Sequence, residues 1–151
     1  MVIGEEGAKT LSPEDLTTAA DRIEDTIAPG EGREIAVLGG SPELWPNRAL
    51  LAWATVHGAA LVLAPTPDSL VSSAVWARPT LFLGTAAELT ALRRAVERER
   101  RPFWDRKRNR LPFGRLRTVL WSGIDELSPE QLEFWSARGV RALRCPRLAL
   151  T

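Results

Sequence analysis

The chain has 151 residues, of which 44% are hydrophobic and 26% are charged, and its formal net charge is +1. These values are typical of one globular domain, and they exclude a general electrostatic attraction to nucleic acid or to a membrane surface. A single cysteine and a single histidine exclude a disulfide framework and a cysteine-based zinc cluster. The absence of a long apolar run and of a signal-peptide pattern predicts a cytoplasmic protein with no membrane span.

The first predicted helix lies in "LSPEDLTTAADRIEDTIAPG" and begins with strong capping signals. Ser12 is the expected N-cap, Pro13 takes the first helical position, and Asp15 stands three residues after the cap. Pro29 ends the helix, and its apolar stripe consists of Leu16, Ala19, Ala20, Ile23 and Ile27. The next segment, "EIAVLGG", is a short apolar run that ends in glycines, which predicts a buried parallel strand.

The middle of the chain continues this alternation of helices and strands. "SPELWPNRALLAWATVHG" predicts a helix that starts at Ser41. "AALVLAP" is the second strand, "TPDSLVSSAVWAR" is a short helix capped by Thr66 or Asp68, and "PTLFLG" is the third strand. In "TAAELTALRRAVERER", Thr85 and Glu88 have the spacing of a capping box.

Two further strands and one helix complete the predicted fold. "RLRTVLWSG" is the fourth strand, "SPEQLEFWSARG" is a helix whose start repeats the capping signal at Ser128 and Pro129, and "VRALRC" is a fifth strand. Strands separated by helices predict an α/β fold, with a doubly wound, mostly parallel sheet of about five strands and helices on both faces. We expect one domain over residues 1–151, in which residues 1–10 are flexible and residues 101–113 form an Arg-rich connection.

The carboxyl ends of the strands form the candidate ligand-binding region, because open α/β sheets bind ligands there. Backbone N–H groups at the following helix starts can hold an anion. The alternative is that glycine, serine and threonine only meet the needs of turns and caps, and the phosphate-loop pattern G-x-x-x-x-G-K-[ST] is absent. The candidate residues are Gly39, Gly40, Ser41, Gly84, Thr85, Ser122 and Gly123.

Other residues that suggest chemistry also have simpler interpretations. His57 is expected near a helix end, where it interacts favourably with the dipole, rather than in catalysis. Cys145 has basic neighbours that can lower a thiol pKa, but a small buried thiol is the preferred interpretation. The Arg-rich stretch 93–117 can bind nucleic acid or an anionic membrane, whereas its Glu97 and Glu99 favour a solvated, ion-paired face or an oligomer contact. Six tryptophans are many for this length, and an exposed one would indicate an interface.

Three segments match, in order, the sequence patterns of one known family. The segment "LPFGRLRTVLWSGIDELSPEQLEFWSARGVRAL" matches without a gap at Gly114, Arg115, Leu116, Arg117, Ser122, Gly123, Leu127, Ser128, Pro129, Glu130, Phe134 and Gly139. The segment "ARPTLFLGTAAELTAL" and the N-terminal half, up to "LVLAPTP", supply the other two matches. These segments resemble AMP-forming acyl-CoA synthetases, particularly the long-chain fatty acid branch. The resemblance implies that the chain corresponds to a subdomain of the N-terminal domain of those enzymes.

The chain departs from this family where the resemblance would place the chemistry. Only a short segment joins "LVLAPTP" to "ARPTLFLG", where the family has its Ser/Thr/Gly-rich ATP-phosphate loop. In the same register "CPRLALT" replaces "GYGLTET", so Ala149 and Leu150 stand where the family has the Thr and Glu that contact the adenylate or its magnesium. Ile124, Asp125 and Glu126 replace Gly-Ala-Pro in the adenine-facing turn, and the sequence stops before the C-terminal domain that carries the catalytic lysine.

These departures predict a relative that does not adenylate and that has no catalytic residue, metal or cofactor. We expect a non-catalytic binding, regulatory or self-associating module, with a homo-oligomer or a protein partner. The alternatives are a residual fatty acid–CoA ligase-related activity and the binding of an acyl or nucleotide-like ligand at the strand carboxyl ends. Nucleic-acid binding through residues 93–117 is the least favoured function.

Overall fold

The computed structural model describes residues 12–28, 33–40, 45–98 and 115–145. The helices are α1 (Pro13–Ile27), α2 (Trp45–His57), α3 (Pro67–Ala77), α4 (Ala86–Arg98) and α5 (Pro129–Ser136). The strands are β1 (Ile35–Gly39), β2 (Ala60–Ala64), β3 (Leu81–Thr85), β4 (Thr118–Ser122) and β5 (Arg141–Arg144). We expected residues 1–10 to be flexible and residues 101–113 to form an Arg-rich connection. Both segments lie outside the described residues.

The strands form one five-stranded sheet in the order β2-β1-β3-β4-β5, and every pairing is parallel. This confirms the predicted doubly wound α/β fold. From β1 the chain moves to the edge strand β2 and then returns to the other side of β1 to form β3. The carboxyl ends of β1 and β3 therefore lie at the point where the winding reverses, which is the usual ligand site of such sheets.

Each face of the sheet is covered by its own layer of helices. On one face Ala36, Leu38 and Leu83 pack against α1 and α2 in a core that contains Ile23 and Trp53. On the other face the alternate strand residues pack against α3, α4 and α5, and this core contains Val37, Phe82, Val119, Phe134 and Trp135. The strands are thus apolar on both sides, as parallel strands buried between helices must be.

Local capping signals set the starts of the helices, as the sequence predicts. Ser12 and Asp15 form a complete capping box, and Ser128 accepts a hydrogen bond from the Gln131 N–H. Thr66, rather than Asp68, is the N-cap of α3. The expected start of α2 at Ser41 lies outside the described residues, which show this helix from Trp45 onward. Strand β4 begins at Thr118, three residues after the Arg115 with which the predicted segment opens.

The buried carboxylate of Glu34 ties together the amino ends of three strands. Glu34 lies just before β1, forms an ion pair with Arg117 before β4, and accepts a hydrogen bond from the Thr80 hydroxyl before β3. The Thr80 hydroxyl oxygen also accepts from the Ile35 N–H at 3.0 Å. None of the helices in the described part of the chain is long and apolar enough to cross a membrane.

Candidate functional site

The structure brings the predicted site residues together at the carboxyl edge of the sheet. Thr85 is paired with Ser122 in the β3–β4 register. Gly39 is paired with Ala64, and the Gly40 N–H donates to the Ala64 carbonyl at 3.2 Å. This edge holds Gly39, Gly40, Gly84, Thr85, Ser122 and Gly123, while Ser41 lies outside the described residues.

At the reversal point the edge is occupied by the side chain of Glu88. Its Oε2 accepts the Thr85 N–H at 2.8 Å, and the Glu88 N–H donates to the Thr85 hydroxyl at 3.2 Å, which completes the predicted capping box of α4. A Cβ on Gly39 would lie 2.5 Å from this Oε2, and a Cβ on Gly84 would lie 2.7 Å from it. The absence of a Cβ at both glycines therefore leaves space for the Glu88 carboxylate. This carboxylate accepts the Thr85 N–H, so that donor is not free to bind an anionic ligand.

A buried asparagine reinforces the same strand end from the opposite face. The Asn47 side chain on α2 is buried, and its Nδ2 donates to the Gly39 carbonyl at 3.0 Å. Sequence reasoning missed this residue. The available signal was a lone amide in the first turn of a helix that is otherwise largely apolar.

The turn that follows β4 is exposed to solvent and is bound by a side chain from the end of β5. Gly123 has a φ of +102°, which favours glycine. Arg144 donates to the Gly123 carbonyl at 3.0 Å and also forms an ion pair with Glu126. Ile124 is 94% exposed, so the bulky residue of this turn points into solvent and does not fill a pocket.

His57 is at the end of α2, as expected, and its contacts are structural. Its Nε2 lies 3.7 Å from the Glu24 carboxylate on α1, and the Trp53 indole N–H donates to the same carboxylate. The ring centroids of Trp53 and His57 are 6.1 Å apart. This group links α1 to α2, and sequence reasoning missed the part played by Glu24.

The predicted buried state of Cys145 is confirmed, and the alternative of an activated thiol is wrong. The residue follows β5, and its N–H donates to the Trp121 carbonyl at 2.8 Å. Burial raises the pKa of the Cys145 thiol to about 11, because the thiolate loses its solvation. A group of three or more His, Cys, Asp and Glu side chains that could hold a metal ion is not found in the described segments.

Two arginines of the 93–117 stretch, Arg93 and Arg117, make side-chain contacts within the described part of the protein. Arg93 pairs with Glu97 one helical turn later at 2.9 Å, and its guanidinium lies 5.3 Å from the centre of the Phe134 ring. Arg117 pairs with Glu34. These contacts fit the ion-paired face that the sequence favours, whereas residues 99–114 lie outside the described part of the chain.

A cleft of about 240 Å³ opens at the opposite, amino edge of the sheet. Its polar side chains are engaged with one another and with a helix end, since Glu34 pairs with Arg117 and Arg141 donates to the last carbonyl of α1, that of Ile27. The C-termini of the helices also point to this edge, and their dipoles disfavour an anion there. The cleft is therefore best explained as the surface of a structural network.

Comparison with solved structures identifies the fold. The N-terminal domain of FACL13 from Mycobacterium tuberculosis superposes with a TM-score of 0.68 at 15% identity, over 95% of this chain and 34% of that one. A benzoate CoA ligase from Burkholderia xenovorans LB400 gives a TM-score of 0.67 at 18% identity, over 87% and 26% of the two chains. A long-chain-fatty-acid-CoA ligase from Archaeoglobus fulgidus gives 0.62 at 13% identity, over 90% and 29%.

These matches confirm the resemblance inferred from the sequence at the level of the fold. The chain has the fold of part of the N-terminal domain of AMP-forming acyl-CoA and aryl-CoA ligases, and it spans between a quarter and about a third of the length of these structures. No protein-family model matches the sequence, and no curated protein matches it.

Proposed function

We propose that this chain is a non-catalytic module with an acyl-CoA synthetase-like fold, and that it acts by contacts with protein rather than by adenylation. The observation that carries the proposal is the position of Glu88. Its carboxylate lies over Gly39 and Gly84 at the reversal point of the sheet, where ligands of doubly wound folds bind.

Adenylation would require positive charge and hydrogen-bond donors near this position, whereas Glu88 is negatively charged. Attack of a carboxylate on the α-phosphate requires cations and hydrogen-bond donors around the phosphates. Here a negative side chain takes the space, and the Thr85 amide is already bound to it at 2.8 Å. At the same edge of the sheet, the arginine that ends β5, Arg144, forms an ion pair with Glu126.

The sequence supports the proposal beyond this edge. The short connection between "LVLAPTP" and "ARPTLFLG" contains α3 and no Ser/Thr/Gly-rich loop. In the family register, residues 145–151 lack the Tyr, and Ala149 and Leu150 lack the polar groups of the adenylate and magnesium motif.

The test is a pyrophosphate-release assay on the full chain with ATP, Mg²⁺, a long-chain fatty acid and CoA. We expect no release above that of the mixture without protein, while a full-length acyl-CoA synthetase in the same mixture gives a strong signal. Pyrophosphate release that rises in proportion to the concentration of this chain would overturn the proposal.

A second candidate function, the binding of an acyl or nucleotide-like ligand, is favoured by the open turn after β4. The space that a Cβ on Gly123 would take is free of other atoms within 4 Å. Titration with AMP, and separately with a long-chain acyl-CoA, should then shift the amide resonances of Ser122 and Gly123 selectively. Unchanged spectra at millimolar AMP, and at acyl-CoA concentrations below those at which it forms micelles, would remove this candidate.

A further inference from the structure

Strand β2 presents a complete set of backbone hydrogen-bonding groups at an edge of the sheet. It is the last strand on its side in the described part of the chain. The Ala60 N–H donates inward to the Glu34 carbonyl at 2.9 Å, and the Ala64 carbonyl accepts inward from the Gly40 N–H at 3.2 Å. Because peptide groups alternate in direction along a strand, the N–H and C=O groups of Leu61 and Leu63 point outward.

The usual protections of an edge strand are missing from β2. Natural edges carry charges, proline or a bulge, which prevent pairing with another strand. The sequence of β2 is ALVLA, and Pro65 comes only after its last residue. Leu63 is 49% exposed, although it lies beside Leu38 on the face that α1 and α2 cover. Within the described residues, the edge is therefore apolar and regular, and no strand pairs with its outer side.

We propose that a second copy of this chain pairs with β2 in antiparallel orientation, about a two-fold axis at Val62. This inference names the partner of the module proposed above and rests on that proposal only for its biological purpose. The register places Leu61 of each copy opposite Leu63 of the other. Each of these pairs then exchanges both of its outward hydrogen bonds, so every outward group of Leu61 and Leu63 is satisfied. A slip toward Pro65 would lose a donor, because proline has no N–H.

The position of α3 supports the same two-fold arrangement. This helix contacts both β1 and β2, so it lies above the gap between them. With strands about 4.8 Å apart, the α3 helices of the two copies would lie about 10 Å apart across the seam, which is a normal helix-packing distance. The exposed surface of α3 carries Val75 and Trp76, and Trp76 is 68% exposed. Trp is frequent at interface centres.

Charges at the two ends of α3 are complementary in this arrangement. Asp68 lies in the first turn of α3, and Arg78 is its C-cap, so they mark opposite ends of the helix. The two-fold axis sets the helices antiparallel and brings Asp68 of each copy toward Arg78 of the other. Like charges would face each other only if the helices were parallel, so the charges favour the antiparallel seam.

The first experiment measures the mass of the full chain by sedimentation equilibrium over a range of concentrations. We expect a monomer–dimer equilibrium.

Leu63→Lys should raise the dissociation constant of the dimer at least tenfold, because a charge then enters an apolar cross-strand pair. Leu63→Pro should do the same by removing an outward N–H, while the ladder to β1 stays intact. Ile124→Lys adds the same charge at another exposed apolar residue, and we expect it to leave the equilibrium unchanged. Circular dichroism reports whether each variant is folded.

The second experiment tests the register by cysteine cross-linking in a Cys145→Ala background. Val62 would face Val62 of the other copy in a pair without hydrogen bonds, with Cα atoms about 4.5 Å apart, which suits a disulfide. Val62→Cys should therefore form a covalent dimer under mild oxidation. Leu63→Cys should not, since diagonal residues are about 7–8 Å apart.

A monomer at every concentration would overturn this inference, and so would a dimer that Leu63→Lys and Leu63→Pro leave intact. A dimer that cross-links through Leu63→Cys rather than Val62→Cys would overturn the register. The proposed function fails on a separate result, which is pyrophosphate release.

Discussion

Glu88 has two roles at the residue scale, and only one of them is local. Its spacing from Thr85 forms the capping box of α4, which any helix start of this kind can use. The same carboxylate also fills the space above Gly39 and Gly84. Close packing explains the glycines at these strand ends, since a Cβ would meet Glu88 at both positions and also the Phe82 ring, 2.8 Å away, at Gly84. A ligand is not needed to account for them.

We predict that Gly39→Ala destabilises the protein by about 1–3 kcal/mol, because its Cβ overlaps the Glu88 carboxylate and forces the capping bond to break. Glu88→Ala alone should cost about 1 kcal/mol through the lost cap. In the Glu88→Ala background the overlap with the carboxylate is gone and only the 3.1 Å approach to Leu70 Cδ1 remains. The double variant should therefore be more stable than the sum of the single effects implies, by about 1 kcal/mol. Urea unfolding of the four proteins measures this coupling, and additive effects would contradict the prediction.

Burial also determines the reactivity of Cys145. Its thiol pKa is raised from 9.0 to about 11, so at pH 8 the folded protein should hold about 100-fold less thiolate than the unfolded chain. We predict slow alkylation by iodoacetamide in buffer and fast alkylation in denaturant, followed by mass spectrometry. The same shift stabilises the fold below about pH 9, and this contribution is lost as the pH rises toward 11. Equal alkylation rates in the two states would contradict the prediction.

At the scale of elements, the amino ends of β1, β3 and β4 depend on one acidic side chain. Glu34 is buried, and it is paired with Arg117 and hydrogen-bonded by Thr80. This one residue connects the starts of three strands, each of which has only five residues. We call this group of contacts a brace, because it holds the starts of the three strands in register.

We predict that Glu34→Ala destabilises the protein by about 2–4 kcal/mol. The change removes the ion pair with Arg117 and leaves the Thr80 hydroxyl to donate only to the Ile35 carbonyl at 3.2 Å. Arg117 is half-exposed and regains water, which keeps the effect below that of a fully buried pair. The matched control is Glu126→Ala, which removes an exposed ion pair with Arg144 and should cost less than about 1 kcal/mol. Thermal and urea unfolding compare the two, and equal losses would show that Glu34 is not a brace.

The elements themselves could be predicted because their signals are local. Three helix starts are marked by an N-cap residue next to a proline, namely Ser12, Thr66 and Ser128. The strand segments, such as that of β3, are short apolar runs bounded by glycine or proline. The partners of Glu24, Glu34 and Asn47 could not be predicted. Each of these side chains reaches a different element of the fold, and no spacing rule encodes such contacts.

At the scale of the whole molecule, the alternation of elements gave the fold class but not the strand order. Connections of similar length allow β3 to lie on either side of β1, so the reversal between β2 and β3 required the structure. The candidate site depended on this order. The sequence placed the candidate residues at strand ends, and the six that the structure describes lie at one edge. It did not indicate that Glu88 occupies the reversal point of that edge.

The sheet is shared by both helical layers, and this has a consequence for unfolding. Each of β1, β3 and β4 sends alternate side chains into the two cores, so neither layer keeps its packing if the other is lost. We therefore predict that the full chain, as one domain, unfolds in a single cooperative transition.

Tryptophan residues provide a probe on each face for this prediction. Trp53 lies in the core formed with α1 and α2, and Trp135 lies in the core formed with α3, α4 and α5. In protein labelled with fluorotryptophan, the native ¹⁹F resonances of Trp53 and Trp135 are assigned by the variants Trp53→Phe and Trp135→Phe. These two resonances should disappear over the same range of urea concentration. The midpoints should agree within experimental error at each protein concentration, and both should rise together with concentration if the chains dimerise through β2. Loss of one resonance at a lower urea concentration than the other would mean that one helical layer can detach from the sheet, and the single-domain description would then be wrong.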